Sequence, residues 1–121
     1  MREIKFRAWL KNENKMAKVH SIHLNKKKVM VTYRTSYGAS GNYSIDDGDF
    51  ILQQYTGLKD KNGQEIYEGD IVEFCISEDG PETATVTFEN GVFWAAYPLY
   101  EVAGKEYHCG VIGNIFEGVD K

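Results

Sequence analysis

A chain of 121 residues, 42% hydrophobic and 13% aromatic, can bury roughly two thirds of its unfolded surface in a single domain, which excludes a disordered protein. No apolar run approaches the ~18 residues of a membrane span, so no membrane partner is expected. The net charge of −4 hides a division: residues 1–34 carry ten Lys or Arg against two Glu, a net of +8, and the remainder carries four Lys against sixteen Asp or Glu, a net of −12. Such a split implies an anion-binding face, complementary surfaces on two copies, or basic strands lying beside acidic ones in one sheet, and the last is the plainest.

The opening MREIKFRAW lacks the apolar stretch of a secretory signal, so an intracellular, cytoplasmic place is expected. Ile4, Phe6 and Ala8 alternate with Lys5, Arg7 and Trp9, the period of two that gives a strand one apolar and one basic face. Residues 11–15 form a polar turn and Met16 to Leu24 a second strand, completing a hairpin. His20 and His23 suggest a metal, but residues three apart on a regular strand face opposite ways and no third ligand is near, so no metal is expected.

Lys26, Lys27 and Lys28 read as a solvated turn into a strand over Val29–Tyr33. Without an interleaved aromatic platform they are a weak nucleic-acid signal. Residues 35–49, rich in Gly and Ser, read as a mobile loop or hairpin tip. Asp46, Asp47 and Asp49 within it lack the bidentate Glu and ligand spacing of a calcium loop and read as solvated acids.

Phe50-Ile51-Leu52 leads into QYTGLKDKNGQEIYEGDIVEF, residues 54–74, the densest stretch of turn residues in the chain. Asp60-Lys61-Asn62-Gly63 puts residues tolerant of positive φ between Thr56–Leu58 and Gln64–Tyr67, which predicts a hairpin. Glu68-Gly69-Asp70 bends the chain again before Ile71 to Phe74, and the acids of the run read as turn-forming and solvated. Gly80-Pro81 breaks pairing. Ala84, Val86 and Phe88 then alternate with Thr83, Thr85 and Thr87 as one strand, Asn90-Gly91 turns it, and Val92 to Tyr97 returns. Pro98 ends that strand or leaves it at an edge, and residues 101–108 read as a polar connection. Val111 to Phe116 closes the fold, with Gly113 marking a bulge or a close backbone approach. No ten-residue amphipathic helix appears, so the class is mainly β with little or no helix.

Cys75 and Cys109 lie outside any CxxC or zinc spacing and read as buried free thiols. Three blocks, MREIKFRAW with Lys15-Met16, QYTGLKDKNGQEIYEGDIV and VIGNIFE, span nearly the whole chain and together resemble the YopX family of small proteins of bacteriophages and prophages. The resemblance implies a mainly β fold, a phage or prophage origin and no known chemistry. The tail departs from the pattern: Gly118-Val119-Asp120 stands where Asn-Pro or His-Pro, then acidic residues and Leu, would be expected.

The layout of turns from Gly69 to Tyr97 is similar to that of small SH3-like, partly open barrels, which act by offering surfaces. One YopX-like domain is therefore expected, with a basic β portion over residues 1–53 and an acidic, barrel-like portion over residues 54–117. The leading functional reading is a non-enzymatic module that binds a protein, with no cofactor. Its candidate surface is Arg7, Trp9, Tyr55, Lys59, Phe93 and Tyr97, the aromatic and basic residues expected opposite the core. Open sheet edges and the charge split add a homo-oligomer. The alternative is a phage regulator binding nucleic acid through the basic segment, which the overall acidity disfavours. An enzyme using Asp60, Glu65, Glu68 and Asp70, or either Cys with a His, has no motif behind it, so no catalytic residue is assigned.

Overall fold

The computed structural model describes residues 3–34, 38 and 40–119. They are mainly β, in small antiparallel sheets, and divide into two compact units: Lys5–Gln54, and the chain from Tyr55 onward with the residues before Lys5.

In the first unit β1 (Phe6–Leu10), β2 (Lys15–His23), β3 (Lys28–Arg34), β4 (Ser40–Asp46) and the first half of β5 (Phe50–Lys59) pair in the order β4-β3-β2-β1-β5. Alternation drives this sheet. Ala8, Leu10, Ala17, Val29 and Val31 are buried on one face, with Val19, Ile22, Tyr43, Ile45 and Leu52 packed against them. Each fully buried Val or Leu contributes about 1.5–3 kcal/mol. Ile4, expected in this set, is 73% exposed because the strand begins only at Phe6 and Leu10 takes the last inward place. The first turn needs four residues, Lys11–Asn14, closed by Asn14 N–H donating to Leu10 O at 2.8 Å with Asn14 at φ 56°.

Two expectations fail in this unit. Residues 40–46 are not a loop but β4, paired with β3 throughout; residues 35–37 and 39 lie outside the described residues. The strand forms because Tyr43 and Ile45 alternate with Asn42 and Ser44, and Tyr43 stacks on Tyr33 with ring centroids 4.4 Å apart. Secondly, the β2–β3 register shifts between Val19 and Ser21, and this bulge breaks the period of two. His20 now meets Thr32, whose register partner is Lys18, and Ser21 Oγ bonds His23 Nε2 at 3.1 Å. The two imidazoles therefore share the outward face. Among the described residues no group of three or more His, Cys, Asp or Glu is placed to hold a metal.

In the second unit the remaining half of β5 pairs with β6 (Glu65–Tyr67), and β7 (Asp70–Phe74), β8 (Glu82–Thr85), β9 (Thr87–Glu89), β10 (Val92–Ala95) and β11 (Tyr97–Pro98) follow. A helical turn α1 (Leu99–Val102), a 3-10 turn at Lys105–Tyr107, β12 (Gly110–Asn114) and β13 (Gly118–Val119) complete it. The strand orders are β13-β12-β7-β8 and β11-β10-β9, with a curled half-barrel sheet in this C-terminal half. Ile66, Val72, Phe74, Val86, Phe93, Ala95, Leu99, Val102 and Cys109 form its core.

The turns account for the shortness of these strands. Asn90 and Gly91 both have positive φ, 53° and 78°, a type I′ reversal that pairs Glu89 with Val92. In Asp60-Lys61-Asn62-Gly63 only Gly63 does, at 81°, so Lys61 and Asn62 make an ordinary turn and Gly63 supplies the left-handed closing residue. The expected single strand over residues 83–88 is broken at Val86, which is buried while Phe88 is exposed and tilts against Phe93. The run to Tyr97 likewise reverses at Ala96, φ 65°, so that Tyr97 pairs back on Ala95. Gly113 has both expected properties: the register shifts between Val111 and Gly113, and a Cβ there would sit 2.7 Å from Val119 Cα.

Candidate functional site

The second unit carries a groove of about 330 Å³ lined by Thr56, Leu58, Gly91, Val92, Phe93, Leu99 and Tyr100. Its walls come from β5, the β9–β10 turn and α1, and each wall has an identifiable support.

The β5 wall rests on a bulge. Five residues of β5, from Tyr55 to Lys59, oppose three of β6, with Gly57 at φ 86°. Thr56 fills the gap in the ladder: its hydroxyl donates to Ile66 O at 2.7 Å and accepts from Leu58 N–H at 3.2 Å. Just beyond, Asp60 is 7% exposed, and its carboxylate accepts three backbone N–H groups, from Asn62 at 2.8 Å, Gln64 at 2.9 Å and Val111 at 3.0 Å. Lys61 N–H adds a bond to Cys109 O at 2.8 Å. One turn carboxylate thus ties the β5–β6 hairpin to β12.

The β9–β10 wall rests on a second clip. Gly69 N–H donates to Val86 O and Val86 N–H to Asp70 O, each at 2.8 Å, while Gly69 O accepts from Ile115 N–H at 2.9 Å. Asp70 is 1% exposed, and its carboxylate accepts from Tyr67 N–H at 2.8 Å. Reading Asp60 and Asp70 as solvated acids is therefore corrected. They are buried because clustered backbone donors at tight turns replace the water that a carboxylate would otherwise need.

The α1 wall rests on Leu99 and Val102, three apart and both buried, which leaves Tyr100 68% exposed at the groove. The stretch read as a polar connection, residues 101–108, takes in the end of this helical turn and the whole 3-10 turn at Lys105–Tyr107. The apolar spacing of Leu99 and Val102 just after Pro98 was the available signal.

The six residues expected at a surface scatter. Arg7 and Trp9 belong to the first unit; Arg7 Nε donates to Gln53 Oε1 at 2.8 Å and Trp9 is buried. Tyr55, Lys59, Phe93 and Tyr97 belong to the second. Tyr55 is buried and stacks on Tyr67 with centroids 5.5 Å apart, Phe93 is a core residue that also lines the groove, and Lys59 is exposed. Tyr97, partly exposed, sets its ring edge against Phe74 at 6.0 Å. The expectation that strand positions opposite the core leave these aromatics exposed is wrong for Trp9, Tyr55 and Phe93. Phe93 lies with Ala95 on the core face of β10, and on β5 the neighbours Tyr55 and Thr56, which point to opposite sides, are both buried.

Both cysteines are free. Cys109 is fully buried, and burial first, then the Asp60 carboxylate, push its thiol up to about 11 against the opposing pull of Lys61. A thiol so raised is neutral at pH 7 and a poor nucleophile. Cys75 is half-buried, less than expected.

The YopX protein family model matches residues 5–119, and the chain belongs to that family. No curated protein matches. Among solved structures the chain is similar to the crystal structure of protein EF1440 from Enterococcus faecalis, with 24% identity, a TM-score of 0.66, and coverage of 96% of this chain and 95% of that one. At that identity the similarity speaks for the fold alone.

Proposed function

We propose, from membership of that family and from the groove, that the chain is a non-enzymatic protein-binding module of phage or prophage origin that works in the bacterial cytoplasm. The supporting observation is the groove itself, an apolar cleft with an exposed Tyr100 on its rim and walls fixed by buried hydrogen bonds. Rigid walls lower the ordering cost of binding. Residues 55–121 carry four Lys against thirteen Asp or Glu, a net of −9, so the favoured occupant is a protein segment with an apolar anchor flanked by Lys or Arg.

Panning a random-peptide library against the intact protein tests this reading. Enriched peptides should carry apolar anchors with basic flanks. Tyr100→Ala should weaken their binding at least about tenfold, the ~1.4 kcal/mol expected of an aromatic contact residue. Ile115→Ala, which removes an exposed apolar side chain outside the groove, should leave it unchanged. No enrichment, or equal loss in both variants, contradicts the assignment.

A second copy is the alternative occupant, favoured by one observation: Lys5–Gln54 holds nine Lys or Arg against four acids, a net of +5 opposite the −9. Sedimentation at micromolar concentration separates the two, since a species of 13.8 kDa alone rules out self-association there.

A further inference from the structure

We propose that the β2–β3 hairpin docks on double-stranded DNA through its turn and its outward face, a second surface distinct from the groove. Residues 15–33 contain five lysines, two histidines and no Asp or Glu, and lie within residues 14–45, the longest stretch of the chain without an acid. The bulge at His20 aligns this charge. Because the register shifts there, His20, Ser21 and His23 point to the same outward face as Lys18 and Lys28, where an unbroken strand would have turned His20 and His23 apart. A polar chain from His20 through the Thr32 hydroxyl to Asn42 Oδ1 spans three strands and holds that face in place.

The tip adds what a plain basic patch lacks. His23 to Lys27 are all exposed, and Leu24, at 82%, stands outward beside a depression lined by Ile22, His23, Leu24, Asn25 and Lys26. The turn closes by Lys27 N–H donating to Leu24 O at 3.3 Å, with Lys27 at φ 53°, so both flanking lysines are carried by the turn itself. β4 lies alongside β3 down to Lys28, so the part that stands beyond the sheet is the turn of residues 24–27, and an apolar residue at such a tip can wedge against a base step. Asp46, 3.4 Å from Lys28, and the adjacent Asp47 bound the patch on the β4 side, which leaves Lys18, Lys26 and Lys27 as the phosphate contacts.

The distribution of charge favours a duplex over an anionic membrane. Lys18 lies six residues behind Leu24, roughly 20 Å along the ribbon. That is more than twice the ~8 Å Debye length at physiological salt, so a membrane met by the tip would not feel it. A duplex followed along its groove meets phosphates at both positions. Over the same screening length the net charge of −4 on the whole chain is a weak opponent of a local cluster.

The test is fluorescence anisotropy of a labelled 20-base-pair duplex, titrated with the full chain from ~50 to ~200 mM salt. Binding should weaken with salt at a log–log slope near −3, as about three phosphate contacts require. The variant Lys18→Gln/Lys26→Gln/Lys27→Asn, which keeps a residue tolerant of positive φ at the turn, should flatten the slope and weaken binding at ~50 mM salt at least tenfold. Leu24→Ala should weaken binding a few-fold without changing the slope. Absence of binding at ~50 mM salt, salt-independent binding, or an unaffected triple variant overturns the proposal. So does equal affinity for polyglutamate or for phosphatidylserine vesicles. Should the triple variant lose its fold, the pair Lys26→Gln/Lys27→Asn, confined to the exposed turn, gives the same decision.

Discussion

The two units are built from the same element and held together differently. In Lys5–Gln54 the strands β1 to β4 form a meander in which each register is set by the turn before it, β5 returns to pair with β1, and the core follows from alternation. The unit from Tyr55 onward has strands of two to five residues beyond β5, too short to specify their own pairing. Its strands are fixed instead by backbone donors gathered on Asp60, on Asp70 and on the Gly69–Val86 clip. The lesson is that a ladder tolerates loss of a side chain, whereas a unit tied at a few carboxylates concentrates its stability in them. The candidate groove sits in the second kind of unit, which gives it rigid walls.

Substitutions should expose that contrast. Asp60→Ala removes one acceptor from three backbone N–H groups, and at about 1–3 kcal/mol per stranded buried donor the loss should reach roughly 4 kcal/mol in urea unfolding. Asp60→Asn, which retains one carbonyl oxygen, should cost about half as much. Gly69→Val places a β-branched residue at φ 86° between the two bonds of the clip and should cost about 3 kcal/mol, read as a lowered thermal midpoint.

A smaller effect depends on pH. Cys109 in the folded chain holds its proton up to about 11, whereas the ordinary thiol value is 9.0. The folded state therefore binds more protons between those values, so stability is full below pH 9 and falls as pH rises toward 11. Unfolding free energies across that range should drop by on the order of 1–2 kcal/mol more in the native chain than in Cys109→Ala. Smallest of all, Asp46→Asn in the first unit breaks an exposed ion pair with Lys28 and should change stability by no more than about 0.5 kcal/mol.

The legibility of the two units in the sequence differs for the same reason. Alternation at Ala8, Val29 and Val31 and the Asn90-Gly91 turn are local signals, and they locate most strands and the mainly β class. The bulge at His20 and the reversal at Ala96 carry no Gly, Asn or Pro to mark them, and the break at Val86 depends on its bonds to Gly69 and Asp70, outside its own hairpin. Asp60 is the sharpest case. A turn residue flanked by Lys59 and Lys61 reads as solvated, and its burial depends on Val111, fifty-one positions away. Of the groove, the sequence marks Phe93 alone, because the convergence of Leu58, Val92 and Tyr100 on it depends on the clips.

Native-state amide hydrogen exchange of the full chain, compared between the wild type and Asp60→Ala, tests most directly whether the second unit and its groove are held by turn carboxylates. Asn62, Gln64 and Val111 should exchange slowly in the wild type and lose protection together in the variant, with Leu58 at the groove wall following them and Ala17 and Val31 in the first unit unchanged. Independent exchange of those three amides, or a groove wall as protected without Asp60 as with it, would contradict that account.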